Sequence, residues 1–186
     1  MAYNTKSAAL TLAARGFRVF RLLPGSKYPL SKKLGQTEET WPEEATQDPT
    51  KIEKLWGDKP YNIGIATGDC FVIDIDVKGE KLGISNAKML DLNFDTYTVE
   101  TPSGGLHLYY KDGGLATSAG KLAPGIDTRG IGGYVVAPGS VINGVPYKVT
   151  QRHELAAVET WVKETIGKGA TSSKNKAGEA LGDDNE

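Results

Sequence analysis

The run Phe-Val-Ile-Asp-Ile-Asp-Val at residues 71–77 constrains this chain more than any other segment. It is apolar and β-branched, and turn formers flank it, Thr67-Gly68-Asp69 before and Lys78-Gly79 after, so it predicts a β-strand. Alternation along a strand puts Phe71, Ile73, Ile75 and Val77 on one side and Val72, Asp74 and Asp76 on the other. Two carboxylates at i and i+2 then point the same way, about 7 Å apart. If that face is buried, the like charges repel and the pair asks for cations. Hard divalent ions such as Mg²⁺ or Mn²⁺ suit carboxylate oxygens and take substrate phosphates to complete their shell. If the face is simply wet, the same alternation describes a half-exposed strand without chemistry.

At 186 residues the chain has room for one well-cored domain. Its hydrophobic content of 39% and charged content of 24% are those of a soluble globular protein, and a net charge of −1 announces no nucleic-acid partner. The distribution says more. Residues 1–37 carry Lys6, Arg15, Arg18, Arg21, Lys27, Lys32 and Lys33 but no Asp or Glu, while residues 178–186 are acidic and mask that basic lobe. A single cysteine, Cys70, excludes an intramolecular disulfide and a Cys-rich zinc knuckle, and reads as a small buried apolar residue. No apolar segment has the length of a signal-peptide core or a membrane span, so the expectation is a cytoplasmic protein with no membrane partner.

Helices are expected at 7–15, with Ser7 near the cap and Gly16 at the end, and from Asp48 to Trp56, opened by an Asp cap and Pro49. Further helices are expected at 84–92 and at 153–166, the latter from the stripe of Leu155, Val158, Trp161, Val162 and Ile166. Strands are expected at 17–22, 96–101, 106–110, 133–137 and 146–149. Two more, at 62–67 and 70–77, read as a hairpin closed by Gly68-Asp69. From Gly167 the chain turns small, polar and aperiodic. This divides it into a folded domain over 1–166 and a flexible linker or disordered tail over 167–186. The balance of elements makes the class α+β with a mixed or antiparallel sheet.

Three other segments bear on the carboxylates. Thr101-Pro-Ser-Gly-Gly-Leu-His107 is a Gly-rich turn between strands. Its backbone at Gly104 and Gly105 can approach a phosphate closely, and His107 can donate to a phosphate oxygen. The same residues also describe an ordinary hairpin turn with a structural histidine. Gly125-Ile-Asp-Thr-Arg-Gly130 offers a third carboxylate, Asp127, with Arg129 two residues on, or else a loop Asp closing its own Asx-turn. Pro24-Gly-Ser-Lys27 presents Lys27 on a tight turn, either a triphosphate contact or a common surface lysine.

The order of these segments resembles the bifunctional primase/polymerase (prim-pol) domain of the archaeo-eukaryotic primase superfamily, found in plasmid, phage and prophage replication proteins. The resemblance extends over residues 8–20, 45–50, 62–68, 137–140 and 144–147. It implies an RRM-like catalytic sheet packed beside a smaller N-terminal α/β unit. It also implies template-directed nucleotidyl transfer, as polymerase and/or primase, with two divalent ions, Mg²⁺ or Mn²⁺. By that resemblance Asp74, Asp76 and Asp127 match the catalytic metal-binding acids, and His107 matches the histidine that contacts the triphosphate. Ser103 and Gly104 belong to its motif, and Lys27 and Arg129 sit in motifs assigned to the triphosphate. The implied partners are a DNA template and primer and a dNTP or NTP. Relatives also carry a C-terminal helical module or helicase, for which residues after 167 show no pattern. The basic residues 1–37 would track template or triphosphate with salt-dependent affinity. A non-catalytic module that binds single strands or nucleotides, and a metal-dependent nuclease, are the competing readings.

Overall fold

The computed structural model describes residues 4–79 and 82–170, so most of the expected tail lies outside the described residues. Two compact units share them. The first takes the chain up to Ala66 and again over Tyr134–Tyr147, and the second takes Thr67–Gly133 and the chain from Lys148 on.

In the first unit, helix α1 (Thr5–Ala14) begins two residues before the expected Ser7, because the Asn4 side chain caps it by accepting the Ser7 N–H at 3.0 Å. Helix α2 (Trp41–Glu44) is a short turn that the sequence reading did not foresee, and α3 (Pro49–Trp56) starts at the expected Asp48 cap. Strands β1 (Arg18–Leu22), β2 (Asn62–Ala66) and β8 (Tyr134–Val136) form a three-stranded antiparallel sheet in the order β1-β2-β8. Phe20, Trp41 and Tyr134 stack against one another with centroids 4.9–5.3 Å apart. Phe20 fits because Gly64 opposite it has no side chain; a Cβ there would stand 2.3 Å from the Phe20 ring. A small hairpin of β9 (Val141–Ile142) and β10 (Val145–Pro146) completes the unit.

Arg21 of the basic residues 1–37 is committed within the fold. Its guanidinium is closed on the buried Glu44 at 2.6 and 3.1 Å, with further bonds to the Thr37 hydroxyl and the Leu55 carbonyl. Lys6 pairs with Glu53 at 3.3 Å. At least these two cations are engaged by acids from beyond residue 37.

The expected hairpin of β2 with the next strand does not form. Strand β3 (Phe71–Ile75) belongs to the second unit and to a different sheet. Between them the Gly68 N–H closes on the Cys70 carbonyl at 2.9 Å, and the Thr67 N–H goes to Gly133. Backbone donors that a hairpin would use are therefore spent on the crossing, and each strand finds two longer-range partners instead.

The second unit's named strands form a six-stranded antiparallel sheet in the order β11-β4-β5-β3-β7-β6. These are β4 (Thr98–Glu100), β5 (Leu106–Tyr110), β6 (Ser118–Ala123), β7 (Ile126–Arg129) and β11 (Lys148–Gln151) about the inner β3. Phe71, Ile73 and Ile75 are fully buried in one core with Leu108, Tyr110 and Ile126, as the alternation predicts. Helices α4 (Gly83–Met89) and α5 (Thr160–Ile166) supply Ala87, Val162 and Ile166 to that core. Strands β6 and β7 were not foreseen, since β6 (Ser-Ala-Gly-Lys-Leu-Ala) has no β-branched residue and β7 (Ile-Asp-Thr-Arg) is mostly polar. The class is α+β, as expected.

Helix α5 is half the expected length. Residues 152–159 run without helix because Ala156 bridges Tyr110 in parallel, taking the Lys111 N–H at 3.0 Å and giving its own to the Thr96 hydroxyl. Val158, Val162 and Ile166 of the expected stripe still reach the core. Past α5, Gly167 accepts the Ala116 N–H and Gly169 donates to Gly114, so backbone pairing continues beyond residue 166. Among the described residues no helix is long and apolar enough to cross a membrane.

Asp112 locks α5 in place: its carboxylate accepts the Val158 N–H at 2.6 Å and pairs with Lys163 at 2.6 Å. Burial pushes the Asp112 carboxyl up, but the bonds from Lys163 and Val158 outweigh it and hold it below the ordinary value of 3.8. The folded state thus binds the proton less readily than the unfolded chain, and this stability is present above the ordinary value and lost as pH falls through the depressed one. Asp112→Asn is expected to cost roughly 1–2 kcal/mol near neutrality. Its melting-temperature gap from the wild type should close in acid; a gap that persists in strong acid would refute the ionised clamp.

Candidate active site

Strand register assembles the site. Asp74 on β3 stands directly opposite His107 on β5 and directly opposite Asp127 on β7. Cross-strand partners share a face, so His107, Asp74 and Asp127 form one lateral row on the side of the sheet away from the Phe71–Ile73–Ile75 core. The adjoining row is Tyr109, Val72 and Arg129, which brings Arg129 onto the same face beside both acids. Residues separated in sequence by 20 to 55 positions meet because β3 pairs on both edges.

The row is dry at one end and wetter at the other. Asp74 is 5% exposed, His107 2% and Arg129 4%, whereas the Asp127 side chain is 28% exposed and Asp76 is half-buried. A buried ionised carboxylate costs several kcal/mol unless it is compensated. Compensation is at hand: His107 Nε2 lies 3.4 Å from Asp74 Oδ1, and Arg129 Nη2 lies 3.8 Å from Asp74 Oδ2 and 3.7 Å from Asp127 Oδ2. The other Asp127 oxygen accepts the Gly120 N–H at 2.8 Å. Asp127 therefore sits on a strand and bonds across to β6, in place of the self-closing Asx-turn that its loop-like sequence also allowed.

Asp76 departs from the expected geometry. Strand β3 ends at Ile75, so Asp76 leaves the ladder instead of standing two places along it from Asp74. Two glycines position it. The Asp76 N–H bonds to the Gly125 carbonyl at 2.8 Å, and its carbonyl accepts the Gly83 N–H at 3.0 Å. Its carboxylate accepts the Lys78 N–H at 2.8 Å. A Cβ on Gly83 would stand 2.3 Å from the Asp76 carbonyl oxygen and 2.7 Å from that of Gly125. Gly83 is thus a positioning residue that the sequence reading missed, and its setting in Lys-Leu-Gly-Ile-Ser carries no motif by which to find it.

The Ser103-Gly104 turn lies at the same end of β3. The Gly104 N–H closes on Thr101, the Thr101 and Ser103 hydroxyls are 3.3 Å apart, and Gly104 adopts φ +90°. Gly105 approaches β3 so closely that a Cβ would be 2.4 Å from the Ile75 carbonyl oxygen. Of the residues marked by sequence, Asp74, Asp76, Ser103, Gly104, His107, Asp127 and Arg129 all belong to the second unit. Lys27 belongs to the first, where its carbonyl accepts the Tyr134 hydroxyl at 3.0 Å.

The donor set suits a hard cation: carboxylate oxygens on Asp74, Asp127 and Asp76, with no thiolate among these residues. Among the described residues no group of three or more His, Cys, Asp or Glu side chains is already gathered as a metal cage. Mg²⁺-type ions typically use one or two carboxylates and complete their shell with water and substrate phosphate, so the Asp74–Asp127 pair, bridged by one cationic nitrogen, fits such an ion.

The family model described as bifunctional DNA primase/polymerase, N-terminal, matches residues 9–161. Comparison with curated proteins finds no match.

Gly83→Ala is expected to cost roughly 2–3 kcal/mol through overpacking on the Asp76 backbone, read as a fall in melting temperature. A wild-type melting curve for this variant would show that the Gly83–Asp76 approach is not required.

Proposed function

Because the chain belongs to the bifunctional DNA primase/polymerase N-terminal family, whose activity is DNA priming and polymerisation, we propose that this chain itself carries out template-directed nucleotidyl transfer. The observation that supports the reading best is the Asp74–Asp127 pair, set side by side by register and sharing Arg129. Two acids facing each other in a largely buried row are costly to keep, and a protein that only bound single strands would gain nothing from them.

In this reading Asp74, Asp127 and Asp76 hold two divalent ions, Mg²⁺ or Mn²⁺, which when bound would activate the attacking 3′-hydroxyl and neutralise charge on the departing pyrophosphate. The chain's own contribution is placement. His107 steadies the Asp74 carboxylate from 3.4 Å and supplies a nitrogen donor toward phosphate oxygen. Arg129 adds fixed positive charge to the same face, where negative charge builds on the β- and γ-phosphates. The Ser103-Gly104 turn offers the Ser103 hydroxyl to the triphosphate, the Gly104 N–H being closed on Thr101. Lys27 is assigned to the triphosphate by its motif alone. The substrates are a dNTP or NTP and a DNA template with or without primer, and the setting is replication of a mobile element.

Purified chain incubated with primed template, dNTPs and Mn²⁺ or Mg²⁺ should lengthen the primer. Asp74→Ala should reduce incorporation roughly 10³-fold or more at a temperature where it still melts cooperatively, and Asp74→Asn, which keeps the shape, should do the same. Equal extension by wild type and Asp74→Ala would sink the assignment, and shortened strands would move the site to a nuclease. Metal-independent strand binding without product would leave the binding module standing.

A further inference from the structure

Two arginines in this protein are held in opposite ways. Arg21 is closed on its carboxylate at 2.6 and 3.1 Å and spends further donors on a hydroxyl and a carbonyl. Arg129 is the more deeply buried, its side chain 5% exposed against 12% for Arg21, yet its distances of 3.8 and 3.7 Å to Asp74 and Asp127 exceed those of direct hydrogen bonds. Its Nη1 is buried with no hydrogen-bond partner at all. A guanidinium presents five donors, and leaving one unsatisfied in the interior is expensive, so such exceptions call for a reason.

Charge supplies the reason. Asp74 and Asp127 are cross-strand neighbours of like sign, and one Arg129 nitrogen stands within 4 Å of both. That nitrogen offsets their repulsion, but at distances longer than direct hydrogen bonds. Nη1, buried without a hydrogen-bond partner, is an uncommitted donor of the same guanidinium.

We propose that Arg129 is an exchangeable counter-ion: it neutralises Asp74 and Asp127 in the empty site, then cedes both acids to a divalent ion and gives its donors to the nucleotide phosphates. This rests on the nucleotidyl-transfer reading and goes beyond a triphosphate contact, because it assigns Arg129 a role before any substrate arrives. It also sets two effects of opposite sign. The arginine charge opposes metal binding at the acids and favours phosphate binding beside them. An arginine that only propped up the fold would, when removed, weaken both.

The test is calorimetric binding of Mn²⁺ alone, and then of a dNTP at saturating Mn²⁺, to wild type, Arg129→Met and Arg129→Lys, with melting curves in chelator to verify folding. Arg129→Met should bind Mn²⁺ roughly 3- to 10-fold tighter than wild type and the dNTP roughly 10-fold weaker. Arg129→Lys, which keeps the charge, should return Mn²⁺ affinity close to wild type. If Arg129→Met does not fold, Arg129→Gln carries the same expectation. Mn²⁺ binding that is unchanged or weaker in a folded, uncharged variant would overturn the counter-ion role and leave the metal reading intact. Absence of Mn²⁺ binding by wild type, with and without dNTP, would overturn both together.

Discussion

The carboxylate of Asp74 sits on an inner strand at 5% exposure, between a histidine and an arginine brought by the two flanking strands. Several kcal/mol of desolvation must be offset at this one position. The opposite face of β3 provides the means: burial of Phe71, Ile73 and Ile75 stabilises by about 1.5–3 kcal/mol each. The strand is therefore held by its apolar face and carries its chemistry on the other. His107 and Arg129 arrive from the two neighbouring strands, so the compensation depends on both edges of β3 being paired.

Asp76 shows a different solution. It lies past the end of the strand, beyond the reach of register, and the backbones of Gly83 and Gly125 grip its N–H and carbonyl. The closeness of that grip leaves no space for a side chain at Gly83. Gly105 plays a comparable part where the Ser103-Gly104 turn meets Ile75. Glycines at these points act by letting backbones meet, and the turn conformations themselves are secondary.

Much of this was legible along the chain. The helices at Asp48 and around residue 84, strand β5, the apolar face of β3 and the α+β class follow from caps, periodicity and turn residues. The reading failed where partners outbid local pattern. The Gly68-Asp69 turn looks like a hairpin, yet β2 and β3 pair elsewhere, and the stripe at 153–166 gives way to an extended segment because Tyr110 offers a backbone partner to Ala156. Strands β6 and β7 escaped because neither shows the apolar, β-branched alternation of a strand: β6 mixes small and polar residues and β7 has one apolar residue.

Local chemistry sufficed to mark Asp74, His107, Asp127 and Arg129 as notable, because residue type and flanking turns are properties of short segments. Their union into one row was decided by pairing across β3, a long-range choice that no local window contains. The same holds for the contrast between Arg21 and Arg129. Both are arginines three residues after the start of a short strand, and only the acids that the folded chain brings to them make one a closed structural pair and the other a charge held loosely between two carboxylates.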